Sequence, residues 1–89
     1  MIRPHVQLLT RAGCGLCARA HEQLTRLAAE LDFTLTVTDV DARADAGDQG
    51  LRAEFGDRVP VVLLEGAEHS YWDVDEPQLR ADLAALRNA

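Results

Sequence analysis

Two strand-like runs flanking one long helical pattern, all within the first forty or so residues, leave this chain few folds to adopt. His5-Val6-Gln7-Leu8-Leu9-Thr10 reads as a buried strand, more polar at its ends. Arg11-Ala12-Gly13 reads as a turn, with Gly13 letting the backbone approach closely. From Gly15 to Leu31, the apolar positions Cys17, Ala20, Leu24, Leu27, Ala28 and Leu31 recur at helical spacing. Arg19, His21 or Glu22, Gln23, Arg26 and Glu30 populate the opposite side, and Asp32 ends the pattern. Phe33 to Val40 then alternates apolar residues with Thr, the period-two signature of a strand. A strand, helix and strand in so short a span force a crossover, so the first two strands are predicted to be parallel, with a right-handed connection.

The second half adds shorter elements. Asp41 to Gly50 is polar and small and reads as a loop, leading to a short helix through Leu51, Ala53 and Phe55 that stops at Gly56. Val59-Pro60-Val61-Val62-Leu63-Leu64 is a buried strand led by a proline, and Glu65-Gly66-Ala67 turns it into a further run, Glu68 to Trp72. Asp75-Glu76-Pro77-Gln78 is a helix start, with Asp75 as N-cap, Pro77 in the first turn and Gln78 at the capping-box position. Leu79, Leu83 and Leu86 form the apolar stripe of that last helix. The order β-α-β-α-β-β-α predicts an α/β fold with a four-stranded mixed sheet and helices on both faces. No linker, repeat or low-complexity tract divides the 89 residues, so 1–89 is read as one domain.

Both cysteines fall in Cys14-Gly15-Leu16-Cys17, where the first strand gives way to the first helix. A helix start exposes unpaired N–H groups and the positive end of a dipole, which favours thiolate over thiol. A purely structural disulfide between residues so close removes little unfolded-state entropy. Spacing and position therefore point to dithiol–disulfide chemistry. Leu16, between the two sulfurs, is expected to form part of an exposed apolar rim for a partner.

Other chemistries fit less well. Zinc wants four ligands, and His5, His21 and His69 supply neither an H-x3–5-H pair nor a second C-x-x-C, so no metal site is assigned. Asp39, Asp41, Asp45 and Asp48 hint at a calcium loop, but Arg43, Ala44 and Gly50 occupy positions that the calcium template reserves for other residues. A solvated acidic loop is the expectation there. A net charge of −6 disfavours nucleic acid and anionic membranes as partners. The first ten residues do not read as a signal peptide, and no stretch approaches the ~20 apolar residues of a membrane span. A cytoplasmic location, where thiols are kept reduced, is expected.

With the dithiol turn, the element order and Val59-Pro60 taken together, the chain resembles the glutaredoxin-like branch of the thioredoxin superfamily over nearly its whole length. The resemblance implies that Val59-Pro60 is cis and lies against the dithiol, and that the Val59 N–H and C=O are offered to glutathione or a peptide. It implies Cys14 as the exposed nucleophile and Cys17 as the resolving thiol. Arg11 matches a basic position that helps hold a thiolate and the glutathione carboxylate. Arg11, Gly15, Leu16, Val59 and Pro60 are thus the expected substrate-binding residues. No tightly bound cofactor is expected. A disulfide-containing protein, or glutathione or another low-molecular-weight thiol as co-substrate, is the expected partner of a monomer. The chain departs from the family pattern in three places. Gly15-Leu16 stands between the cysteines, Gly13 replaces the thioredoxin Trp, and the Gly-Gly-x-Asp turn of glutaredoxins reads His69-Ser70-Tyr71-Trp72-Asp73-Val74-Asp75. Tyr71 and Trp72 either line a substrate groove or pack the hairpin against the last helix. The alternatives are a non-catalytic docking module of the same fold, or a carrier of metal or an iron–sulfur cluster.

Overall fold

The computed structural model describes residues 3–88. Its elements run β1 (His5–Thr10), α1 (Gly15–Leu31), β2 (Thr34–Asp39), α2 (Val40–Asp45), α3 (Gly50–Phe55), β3 (Val61–Leu64), β4 (Ala67–Tyr71) and α4 (Glu76–Arg87). The four strands form one sheet in the order β2-β1-β3-β4. β1 pairs parallel with β2, from His5↔Thr34 to Thr10↔Asp39, and antiparallel with β3, from Val6↔Leu64 to Leu9↔Val61. The α/β architecture, the mixed sheet and the terminal hairpin are those expected from the sequence.

Strand alternation divides the interior into two layers. Val6, Leu8 and Val62 face α1 and α4 and pack with Ala20, Leu24, Leu27, Phe33, Val74, Leu79 and Leu83. Leu9, Val61 and Leu63 point to the other face and pack with Val40 and Phe55 from α2 and α3. Fully burying each Leu or Val contributes about 1.5–3 kcal/mol, and these side chains are what fix α1, and the dithiol at its start, against the sheet.

Four local readings change. Val40, expected to end the second strand, and Asp41 to Asp45, expected to be loop, are helix, because Asp39 caps it by accepting from the N–H groups of Asp41 and Ala42, while Val40 and Ala44 bury one face four residues apart. β3 begins at Val61, since Pro60 has no N–H to give a ladder. Leu86 is 43% exposed, so the stripe of α4 rests on Leu79 and Leu83. At Gly13 the requirement is conformational: φ is +75°, yet a Cβ there would meet nothing within 4 Å.

The β3–β4 ladder slips between Val62↔Ser70 and Leu63↔Glu68, a bulge that leaves His69 as the extra residue. Its side chain is 7% exposed, and its Nε2 lies 2.8 Å from Asp82 Oδ2 on α4. The hairpin is thereby pinned to the last helix.

Candidate active site

α1 begins where β1 has run out, and Cys14 is its N-cap, with extended backbone (φ −93°, ψ 105°). An N-cap side chain ordinarily satisfies one of the orphan amides of the first turn. Here the acceptor is sulfur: the Cys17 N–H donates to Cys14 Sγ at 3.1 Å. The same bond would stabilise a thiolate at Cys14, because the amide and the helix dipole both favour negative charge there. Cys14 and Cys17 are joined as a disulfide, with Cα atoms 5.2 Å apart.

The two sulfurs differ in access. Cys17 is 4% exposed, on the buried side of the first turn of α1, whereas Cys14 is half-buried. Both line a shallow depression of about 420 Å³ together with Thr10, Arg11, Gly13, Gly15, Ala18, His21 and Val37. Gly15 faces open space, with nothing within 4 Å of where a Cβ would sit. Leu16 projects into solvent at 52% exposure, as an apolar rim would.

Val59 and Pro60 do not line that depression, but the sheet brings them to the same end of the fold. Val61 pairs with Leu9, so the residues before Val61 run alongside Thr10 and the dithiol turn. The Val59-Pro60 bond is cis. The neighbouring carbonyls of Arg58 and Pro60 both accept from the Trp72 N–H, at 3.3 and 2.7 Å. The N–H and C=O of Val59 make no hydrogen bond among the described residues. Trp72 and Tyr71 do not pack the hairpin: they are 57% and 48% exposed and meet edge to face at 5.1 Å, on the β4 side of this end of the sheet. A larger depression of about 790 Å³ lies between β4 and the start of α4, lined by Glu68, His69, Ser70, Tyr71, Asp73 and Val74 among others. It contains neither cysteine.

Arg11 is the residue whose surroundings the sequence least foretells. Its Nε and Nη2 donate to Asp41 Oδ2 and Oδ1 at 2.9 and 3.0 Å, and its Nη1 donates to the Gly56 carbonyl at 3.1 Å. The hydrogen bond from Arg11, and then its charge, hold the Asp41 carboxyl below the usual carboxylate range, against the partial burial that works the other way. The same pair raises the Arg11 guanidinium above its ordinary value. Arg11 thus ties the dithiol turn to α2 and to the end of α3. Asp41 as the anchor of Arg11 is missed in the sequence, where the acidic run reads as solvated loop. The one local signal was Asp39 preceding Val40 and Ala44 at helical spacing. The partner thirty residues away leaves no trace in the sequence pattern.

A parallel β1–α1–β2 unit, an antiparallel hairpin and a dithiol at the first helix start define a thioredoxin-fold protein. The profile of the glutaredoxin-like domain (DUF836) matches residues 5–84, and the chain belongs to that family. Uncharacterised proteins of Mycobacterium tuberculosis and Mycobacterium bovis are each 63% identical over 84 residues, spanning 94% of this chain and 87% of the relative. Among solved structures, a Nitrosomonas europaea protein superposes with a TM-score of 0.76 at 26% identity, covering 92% of this chain and 93% of that one. A thioredoxin from Fasciola hepatica superposes with a TM-score of 0.58 at 22% identity, over 93% of this chain and 80% of that one, a likeness of fold alone. Among the described residues, no helix is long and apolar enough to cross a membrane.

Proposed function

We propose that this protein is a dithiol–disulfide oxidoreductase. The observation that carries the reading is the contrast within the pair. Cys14 sits at a helix N-cap beside an open depression with the Cys17 amide on its sulfur, while Cys17 is buried one turn in. In the reduced form, the Cys14 thiolate attacks one sulfur of a substrate disulfide and expels the other as a thiolate. The Cys17 thiolate then attacks Cys14 Sγ, releases the second substrate thiol and leaves Cys14–Cys17 oxidised. One substrate disulfide becomes two thiols as the protein dithiol becomes a disulfide. An extended substrate segment would pair with the N–H and C=O of Val59, and Leu16 would contact it from the helix side. A reducing compartment such as the cytoplasm would return the pair to its dithiol form, with a low-molecular-weight thiol or a reductase as donor.

A redox titration of the purified protein tests this. The reading predicts a reversible two-electron transition at roughly −200 to −270 mV, together with reduction of a protein disulfide by the dithiol form. A pair that does not cycle in that span, in a protein that still binds partner chains near Val59, would replace the enzyme with a docking module.

A further inference from the structure

One guanidinium, Arg11, lines the depression in front of Cys14, and each of its nitrogens already donates inside the chain. Around it the charges balance. Arg11 and Arg52, the latter 3.6 Å from Asp41 Oδ1, face Asp41, while Asp39 lies alongside as the cap of α2. A thiol carrying carboxylates therefore meets, beside Cys14, a guanidinium whose three nitrogens are already engaged and whose charge Asp41 offsets, on a chain whose net charge is −6. We infer that Asp41 is a positioning residue that sets partner preference. By holding Arg11 in a two-pronged ion pair, it turns the dithiol toward disulfides flanked by neutral or cationic groups, and away from carboxylate-bearing ones such as glutathione disulfide. This rests on the disulfide chemistry proposed above.

The test reads a ratio. The reduced protein is reacted with three small disulfides of similar size: cystamine (cationic), bis(hydroxyethyl) disulfide (neutral) and dithiodiglycolate (anionic). Because all three meet the same thiolate, the anionic-to-cationic rate ratio cancels any change in thiolate fraction. Wild type is expected to rank cationic above neutral above anionic. Asp41→Asn frees Arg11 and is expected to move the ratio roughly three- to tenfold toward the anionic disulfide. Added salt at about 0.5 M compresses that shift. Glu30→Gln removes the same charge roughly 22 Å away along α1 and moves the ratio less than twofold. Arg11→Met, which strips Asp41 of that partner, is expected to shift the ratio the opposite way, so the inference is still tested if Asp41→Asn does not fold. Shifts in Asp41→Asn no larger than in Glu30→Gln, or an Arg11→Met shift of the wrong sign, overturn the inference while leaving the chemistry intact. No reaction with any of the three disulfides retires both.

Discussion

Arg11 in the dithiol turn and Asp41 in α2 meet as a two-pronged ion pair, Nε to Oδ2 at 2.9 Å and Nη2 to Oδ1 at 3.0 Å. A carboxyl held below its usual range stabilises the fold at every pH above its unfolded value, and loses that contribution as pH falls through the lower native value. Asp41 behaves this way because of Arg11, Glu30 because of Arg80, Asp48 because of Arg43, and Glu76 because of Gln23 and then Arg80. Urea unfolding followed against pH should therefore show a plateau above about pH 5 and a steady loss below about pH 4. Asp41→Asn should flatten the acid limb by one site, and an unchanged slope would mean that the pair does not form in solution.

Leu16 is exposed beside the buried Cys17. Leu16→Ser should change stability by no more than about 0.5 kcal/mol, as surface substitutions do. It should slow reduction of a protein disulfide about fivefold, through loss of the apolar contact that a docked chain would bury, and slow reaction with a small disulfide much less. Stopped-flow kinetics on the two substrates separates these effects.

Leu24 is fully buried between α1 and the sheet. Leu24→Ala should cost about 2–5 kcal/mol in denaturant unfolding, since a helix anchored on both sides cannot collapse into the cavity. A cost below about 1 kcal/mol would place α1 elsewhere.

The His69 ring is almost wholly buried, with Nε2 on Asp82 and Nδ1 without a partner among the described residues. Asp82→Ala should lower stability by about 1–3 kcal/mol, because it strands a buried ring nitrogen. Urea titration checks this: the midpoint should fall while the slope stays constant.

Much of this fold is legible in the chain because periodicity reports burial. Cys17, Ala20, Leu24 and Leu27 mark the buried side of α1 from Gly15 to Leu31, and Asp75 marks the start of α4 by its capping chemistry. What failed to read was local structure set by distant partners. The acidic run after Asp39 looks like solvated loop because its polarity is visible, whereas the partners that use it, Arg11 and the core around Phe55, come from elsewhere in the chain. The inward turn of His69 depends on a bulge, and a single extra residue in one strand leaves no periodic mark. At the site, the Cys14–Cys17 pair at the start of α1 and the exposure of Leu16 between them follow from sequence. The occupied state of Arg11 does not, because an ion pair across thirty residues is a property of the fold.

The most direct test of the central claim is mixed-disulfide trapping. Cys17→Ser should accumulate a covalent complex with a protein disulfide substrate, joined through Cys14 and released by dithiothreitol, while Cys14→Ser should form none. Trapping by Cys14→Ser through Cys17, or no complex with either variant, would contradict the account.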